Sequence, residues 1–160
     1  MFQVTDAQLE DVPQLVALLT LLFCQEADFR PDEAAQAAGL RLILECPEAG
    51  RILVLRQGAQ VVGMVNLLFT ISTARGGRVA PLEDLIVAPE YRGQGAGSAL
   101  LRGAITLAQD CGCSRITLLT DEANAAAQRF YQRHGFSRSG MVPFRRLLDS
   151  VPPRPAAALD

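Results

Sequence analysis

Apolar and polar residues first alternate at Phe2-Gln3-Val4-Thr5, which predicts a short opening strand. From Asp11 the spacing becomes helical, with Val12, Leu15, Val16, Leu18, Leu19 and Leu22 recurring at helical intervals, Asp11 as the expected cap and Pro13 in the first turn. Between Leu21 and Phe29 apolar residues spread over more than one face. Phe23 and Phe29 there belong either to a buried helix end or to the wall of a cleft, and aromatic residues at this spacing read first as core. A second helix opens at Pro31-Asp32-Glu33, runs through Leu40, Ile43 and Leu44, and ends before Pro47. Its acidic first turn suits the helix dipole.

Ile52 to Arg56 and Val61 to Phe69 read as strands joined by a hairpin turn at Gln57-Gly58-Ala59-Gln60. Ser72 to Arg78, with Gly76-Gly77, reads as a loop, and Leu82 to Val87 as a fourth strand ending at Pro89. A helix from about Gly97 to Gln109 follows, then a fifth strand over Ser114 to Thr120 and a helix over Ala123 to His134 closed by Gly135. Phe136 and Met141 to Leu148 predict two last short strands. This order of strands and helices predicts an α/β fold, a mixed sheet with helices on both faces. Residues 1–148 are expected to form a single domain, and the Pro/Ala-rich tail over 149–160 to be disordered, since it can neither hold a ladder nor join a core.

The chain's 160 residues suit one domain with a proper core. Hydrophobic residues at 49% and charged residues at 20% point to a soluble globular protein. A formal net charge of -2, without a basic stripe, gives no general attraction to nucleic acid or to an anionic membrane. The start, Met1-Phe2-Gln3-Val4, has no basic n-region, and no apolar run reaches the length of a membrane span, so the expected compartment is cytoplasmic. Cys111-Gly-Cys113 lacks the spacing of common zinc and redox motifs and His134 is the single histidine, so no metal site is expected.

The chemistry concentrates in Pro81 to Leu101, where a strand runs into Arg92-Gly93-Gln94-Gly95-Ala96-Gly97-Ser98 and then into an Ala/Leu-rich helix. Glycines in such a turn permit positive φ and let a ligand approach the backbone, and amides freed at the helix start suit phosphate oxygens. No Lys-Ser or Lys-Thr follows the last glycine as a Walker loop requires, and the spacing differs from the dinucleotide fingerprint. The stretch resembles instead the acetyl-CoA-binding motif of the GNAT superfamily of N-acetyltransferases. In that motif Arg or Gln is followed by x-x-Gly-x-Gly or Ala, here Arg92, Gly95 and Gly97. The run from Asn124 through Phe130-Tyr131 to Gly135-Phe136 is similar to a second GNAT pattern, in the right order. The resemblance covers roughly residues 1 to 148.

What this resemblance implies is a mostly antiparallel central sheet, splayed between the fourth and fifth strands, with the pantetheine arm of acetyl-CoA in the gap. Arg92, Gly93, Gln94, Gly95, Ala96, Gly97 and Ser98 would hold the pyrophosphate, Leu85, Ile86 and Val87 would offer backbone groups, and Asn124 would bond the pantetheine. Glu83 matches a glutamate that serves some members as general base. Asp84 is its neighbour on the opposite strand face, so one of the two is expected to face the cleft. A base is useful because a primary amine, with a pKa near ~10.4, is mostly protonated at neutral pH. Tyr131 matches the tyrosine that protonates the departing thiolate.

Each of these residues also has an ordinary reading: an arginine-paired or solvated Glu83, a core-packed Tyr131, a helix-capping Asn124. The expected function is acetyl transfer from acetyl-CoA directly to an amine in a ternary complex; the alternative is a non-catalytic acyl-CoA sensor of the same fold. Candidate acceptor residues, without a pattern, are Cys24, Glu26, Asp28, Phe29, Asp32 and Phe144. A homodimer is the common arrangement among proteins of this kind.

Overall fold

Six strands form the sheet in a computed structural model that describes residues 1–26 and 28–148, so the expected tail at 149–160 lies outside the described residues. The strands are β1 (Gln3–Asp6), β2 (Gly50–Gln57), β3 (Gln60–Leu68), β4 (Thr70–Ser72), β5 (Gly77–Val87) and β6 (Ile116–Thr117). The order is β1-β2-β3-β5-β4, with β6 paired to β5; that last ladder is parallel and the others are antiparallel. The helices are α1 (Val12–Gln25), α2 (Glu33–Glu45), α3 (Ala96–Asp110) and α4 (Ala125–Arg133). The chain falls into two compact units, Met1–Asp121 and the residues from Glu122 onward. No described helix is long and apolar enough to cross a membrane.

The first unit is a mixed sheet with helices on both faces. Strand alternation sends Ile52 and Val54 of β2, with Val61, Met64 and Ile86, into one core with Val12, Leu15, Leu18 and Leu19 of α1 and Leu40 of α2. Leu100, Leu101, Ala104 and Ala108 bury a separate stripe of α3 against the sheet. Gln36 ties the first two helices together: its Nε2 donates to the Val16 carbonyl and to Thr20 Oγ1, each at 3.0 Å, and its Oε1 accepts from the Asp32 amide at 2.8 Å. A buried amide with its hydrogen-bonding capacity used in this way fixes one helix against another.

Several predicted boundaries change. Gly77 to Val79 join β5 by pairing with β4, so the predicted loop shrinks to a tight turn between two strands. The fifth strand keeps only Ile116–Thr117, paired at Ala80 and Pro81. Phe136 and Met141 to Leu148 form no strand: among the described residues no ladder includes them, and Met141, Val142, Phe144, Leu147 and Leu148 are exposed. Alternation states a preference for a two-faced surface, and only a neighbouring strand edge with a face to bury turns it into a strand.

Asp11 does not cap α1 with its side chain. Its buried carboxylate accepts from the Gln8 amide at 2.8 Å and is clasped by Arg56 Nη1 and Nη2 at 2.9 and 2.6 Å. The bidentate Arg56 contact, more than the cost of burial, holds the Asp11 carboxyl below the usual carboxylate range. A depressed folded-state pKa gives stabilisation that is complete above the ordinary carboxylate range and is lost as pH falls through the lower folded value. Asp11→Asn should therefore lower the neutral-pH Tm, with a cost on the order of 3 kcal/mol. Its Tm should converge on the parent's in acid; a gap that stays constant to low pH would contradict the pairing.

Candidate active site

The end of β5 carries a register fault that shapes the site. Met64 faces Ile86 and Asn66 faces Glu83, so Asp84 and Leu85 together oppose the single residue Val65. This is a β-bulge, and Asp84 sits in it at φ 54, the one non-glycine residue described at positive φ. The bulge decides which acid faces inward: Asp84 lines a cavity of about 270 Å³, whereas Glu83 is exposed. Leu19 and Phe23 of α1, Gln36 and Leu40 of α2, and Asn66 of β3 also line it. Phe23 is thus a cavity wall as well as core margin, while Phe29 is exposed with its ring 5.5 Å from that of Phe23.

Asn66 is buried, and its Nδ2 donates a short hydrogen bond to Asp84 Oδ2. Its Oδ1 finds no partner among the described residues. Burial, and then the neighbouring Glu83 charge, push the Asp84 carboxyl up to about 6 against the opposing Asn66 donor. Burial also raises Glu26, with further contributions from Asp84, Asp121, Asp28 and Glu83. Glu83 thus bears on both raised carboxyls, Asp84 and Glu26.

Beyond β5 the chain makes the phosphate-type turn. Arg92 Nε donates to the Val87 carbonyl at 2.9 Å and Gln94 Nε2 to the Glu90 carbonyl at 3.0 Å, bracing the loop against the strand end. Gly93 and Gly95 lie at φ 73 and 82, where side chains other than glycine are strained, and a Cβ built on either would meet nothing within 4 Å. Gly95 is the N-cap of α3 and supplies no side-chain cap. The first turn of an α-helix has no intrahelical acceptors for its amides, so those of Ala96, Gly97 and Ser98 are presented together, and the helix bond from Ala99 to the Gly95 carbonyl comes next. α3 begins at Ala96, one residue before the predicted start, so Gly97 is helical and is not among the residues at positive φ.

The structure thus joins Glu83, Asp84, Leu85, Ile86, Val87 and the Arg92 to Ser98 turn in one strand–turn–helix unit. The β5–β6 ladder has only the pairs Ala80–Ile116 and Pro81–Thr117, and it ends before this part of β5 begins.

In the second unit Asn124 caps α4, its Oδ1 accepting from the Ala127 amide at 3.0 Å. Tyr131 is half-buried, edge-on to Phe130 at 5.3 Å and Phe136 at 5.8 Å between ring centres. The Tyr131 carbonyl accepts from the His134 and Phe136 amides, so the Gly135-Phe136 pair folds back on the helix end.

A family model described as "Acetyltransferase (GNAT) family" matches residues 15–136. The chain is 33% identical over 133 residues to an aminoalkylphosphonate N-acetyltransferase of Salmonella typhimurium, covering 83% of each protein. This chain belongs to the GNAT acetyltransferase family. A thialysine N-epsilon-acetyltransferase of Bos taurus is 40% identical over 79 residues, 49% of this chain and 46% of that protein, so the chain spans under half of that relative. Among solved structures, the integron cassette protein HFX_CASS3 from the mobile metagenome of Cole Harbour Salt Marsh shares 31% identity with a TM-score of 0.80, covering 94% of this chain and 92% of its own. Asn66 and Gln36 were not among the residues singled out from the sequence. The first had a signal, a lone amide within the apolar run Val61 to Phe69.

Proposed function

We propose that this GNAT protein is a cytoplasmic N-acetyltransferase that passes an acetyl group directly from acetyl-CoA to an amine in a ternary complex. The observation that carries the reading is the uncapped α3 start behind two left-handed glycines with open space above them, which fits a pyrophosphate approached by backbone amides. The Salmonella and bovine relatives are both N-acetyltransferases, which supports an amine as acceptor.

Bound acetyl-CoA would supply an activated acyl thioester with a thiolate leaving group. The amides of Ala96, Gly97 and Ser98, with Arg92, Gly93, Gln94 and Gly95, hold the pyrophosphate. Backbone groups of Leu85, Ile86 and Val87, on the stretch of β5 beyond the β6 ladder, hold the arm, and Asn124 adds a side-chain contact. Glu83 takes the ammonium proton at a carboxylate oxygen and leaves a nucleophilic amine. The Tyr131 hydroxyl donates to the departing sulfur, a phenol near ~10 facing a thiol near ~8.5, so that hydrogen bonding shares the task with proton transfer.

The test incubates the chain with acetyl-CoA and a panel of amines, and follows thiol release and acetylated amine together. Acetyl-CoA alone at about 100 times its Kd should stabilise the fold by roughly 2.7 kcal/mol, a Tm rise of about 5–10 °C for a chain of this size. ATP and NAD should give little shift. A larger shift with either, or none with acetyl-CoA, would refute the cofactor assignment.

A further inference from the structure

The turn that ends α3 brings two thiols, Cys111 and Cys113, to one helix end, far along the chain from the glycine turn at its start. It closes with the Gly112 amide donating to the Gln109 carbonyl at 3.0 Å and the Cys113 amide to the Ala108 carbonyl at 2.9 Å. This pair of bonds is the Schellman ending of a helix, and it needs the left-handed backbone that Gly112 adopts at φ 74. Cys111, the C-cap residue at φ -83 and ψ 5, stands three residues on from Ala108 and so shares its helix face. Cys113 is folded back onto the same Ala108 by its amide. Fully extended, two residues would part their Cα atoms by roughly 7 Å; the bend at Gly112 shortens this into the range of about 4.4–6.8 Å that a disulfide spans. Both thiols are free and half-buried, so each is open to a small reagent. The turn leads directly into β6: the next residue, Ser114, donates its amide to the Arg78 carbonyl at 3.0 Å, so the pair sits where α3 is joined to the sheet.

We propose that Cys111 and Cys113 form a reversible dithiol–disulfide couple that is oxidised by low-molecular-weight disulfides of the glutathione class. The couple does not depend on the acetyltransferase reading. Cys113 is the less ready attacker, because burial first, and then the neighbouring Cys111, push its thiol up while Arg78 opposes them. The opening step therefore falls to Cys111. Its thiolate attacks one sulfur of the small disulfide, forming a mixed disulfide and expelling one thiolate. Cys113 then gives up its proton and attacks the Cys111 sulfur, closing the ring and expelling the second. The two cysteine protons end on the two released thiolates, so the chain loses two electrons and two hydrogens while one small disulfide becomes two thiols. The ring is short and half-exposed, and strained or exposed disulfides are the labile ones. A reducing compartment reopens such a bond, which suits a redox-sensing site.

The experiment equilibrates the chain in glutathione buffers of increasing oxidised share, quenches in acid, alkylates the remaining thiols and maps tryptic peptides by mass spectrometry. Cleavage after Arg102 and Arg115 puts Cys111 and Cys113 on one peptide, while Cys24 and Cys46 fall singly on others and serve as references. The shared peptide should lose two hydrogens and carry no glutathione. Cys113→Ser should instead leave Cys111 as a glutathione adduct, and Cys111→Ser should form its adduct at Cys113 more slowly. Because the folded turn holds the thiols together, the ratio of disulfide to dithiol in one buffer should be higher in the native chain than in concentrated urea, by roughly 10-fold or more, as when geometry raises an effective concentration. A native ratio equal to or below the unfolded one would mean that the fold does not build the couple, and overturns the inference. So would a native peptide that stays fully alkylated, or that carries glutathione on both sulfurs, in the most oxidised buffer.

Discussion

Tyr131→Phe is expected to lower turnover by roughly 10²-fold or more with an accepted amine, while acetyl-CoA still binds. The change removes one hydroxyl and little volume. The ring contacts with Phe130 and Phe136 that seat the side chain at the end of α4 should survive it. A loss confined to kcat marks a group that acts on the leaving thiolate, whereas a packing role would show as a lower Tm with a small effect on rate. Glu83→Gln separates the other half of the chemistry. Its rate loss should shrink as pH rises toward the amine's own pKa, because a larger share of the amine then arrives unprotonated and needs no base. Tyr131→Phe should show no such rescue. Parent-like activity of Glu83→Gln at every pH would move the base to water or to another carboxylate, and an unchanged rate in both variants would contradict the catalytic assignment as a whole.

Local signals placed most of the first unit. The helical spacing of Val12, Leu15, Leu18 and Leu19 is the face α1 buries, and the Gln57 to Gln60 turn joins β2 and β3. Pro89 and the glycines mark the passage from β5 to α3, because each depends on φ values its own residues dictate. What the sequence left unresolved depends on pairing at a distance. Gly76-Gly77 reads as loop, yet Gly77 enters β5 because Ser72 lies opposite to receive it. Met141 to Leu148 alternates well enough for a strand and forms no ladder. Asp11 has the right chemistry for a cap, and Arg56, 45 residues away, claims its carboxylate instead.

The candidate site divides in the same way. The turn was readable because glycine spacing is itself the constraint. The cavity was not, since the choice between Glu83 and Asp84 is made by a one-residue slip against Val65 that no periodicity announces. Asn66 was visible only as an oddity, a single polar side chain in a run of apolar ones, and its meaning came from the carboxylate that the bulge turns toward it.

The most direct test of the cofactor site is calorimetric titration of acetyl-CoA into Gly95→Val beside the parent. Gly95 lies at φ 82 and ψ 0, so valine there strains the backbone by about 1–3 kcal/mol, well below the roughly 5–15 kcal/mol typical of a folded domain. Apart from its chain neighbours, a Cβ at that position meets nothing within 4 Å, so the added side chain points into open space at the turn. Near-ultraviolet circular dichroism should therefore report a native fold. If phosphate oxygens are held by the amides of Ala96, Gly97 and Ser98, the branch blocks their approach and loses at least one charge-assisted hydrogen bond along with the turn's geometry, a drop in affinity of roughly 10²-fold or more. Gly97→Val should also weaken binding, without the strain of a left-handed backbone, because Gly97 is not among the residues at positive φ. The expected result is a folded Gly95→Val chain with acetyl-CoA affinity lowered by about two orders of magnitude; a folded variant that binds acetyl-CoA as the parent does would contradict the assignment.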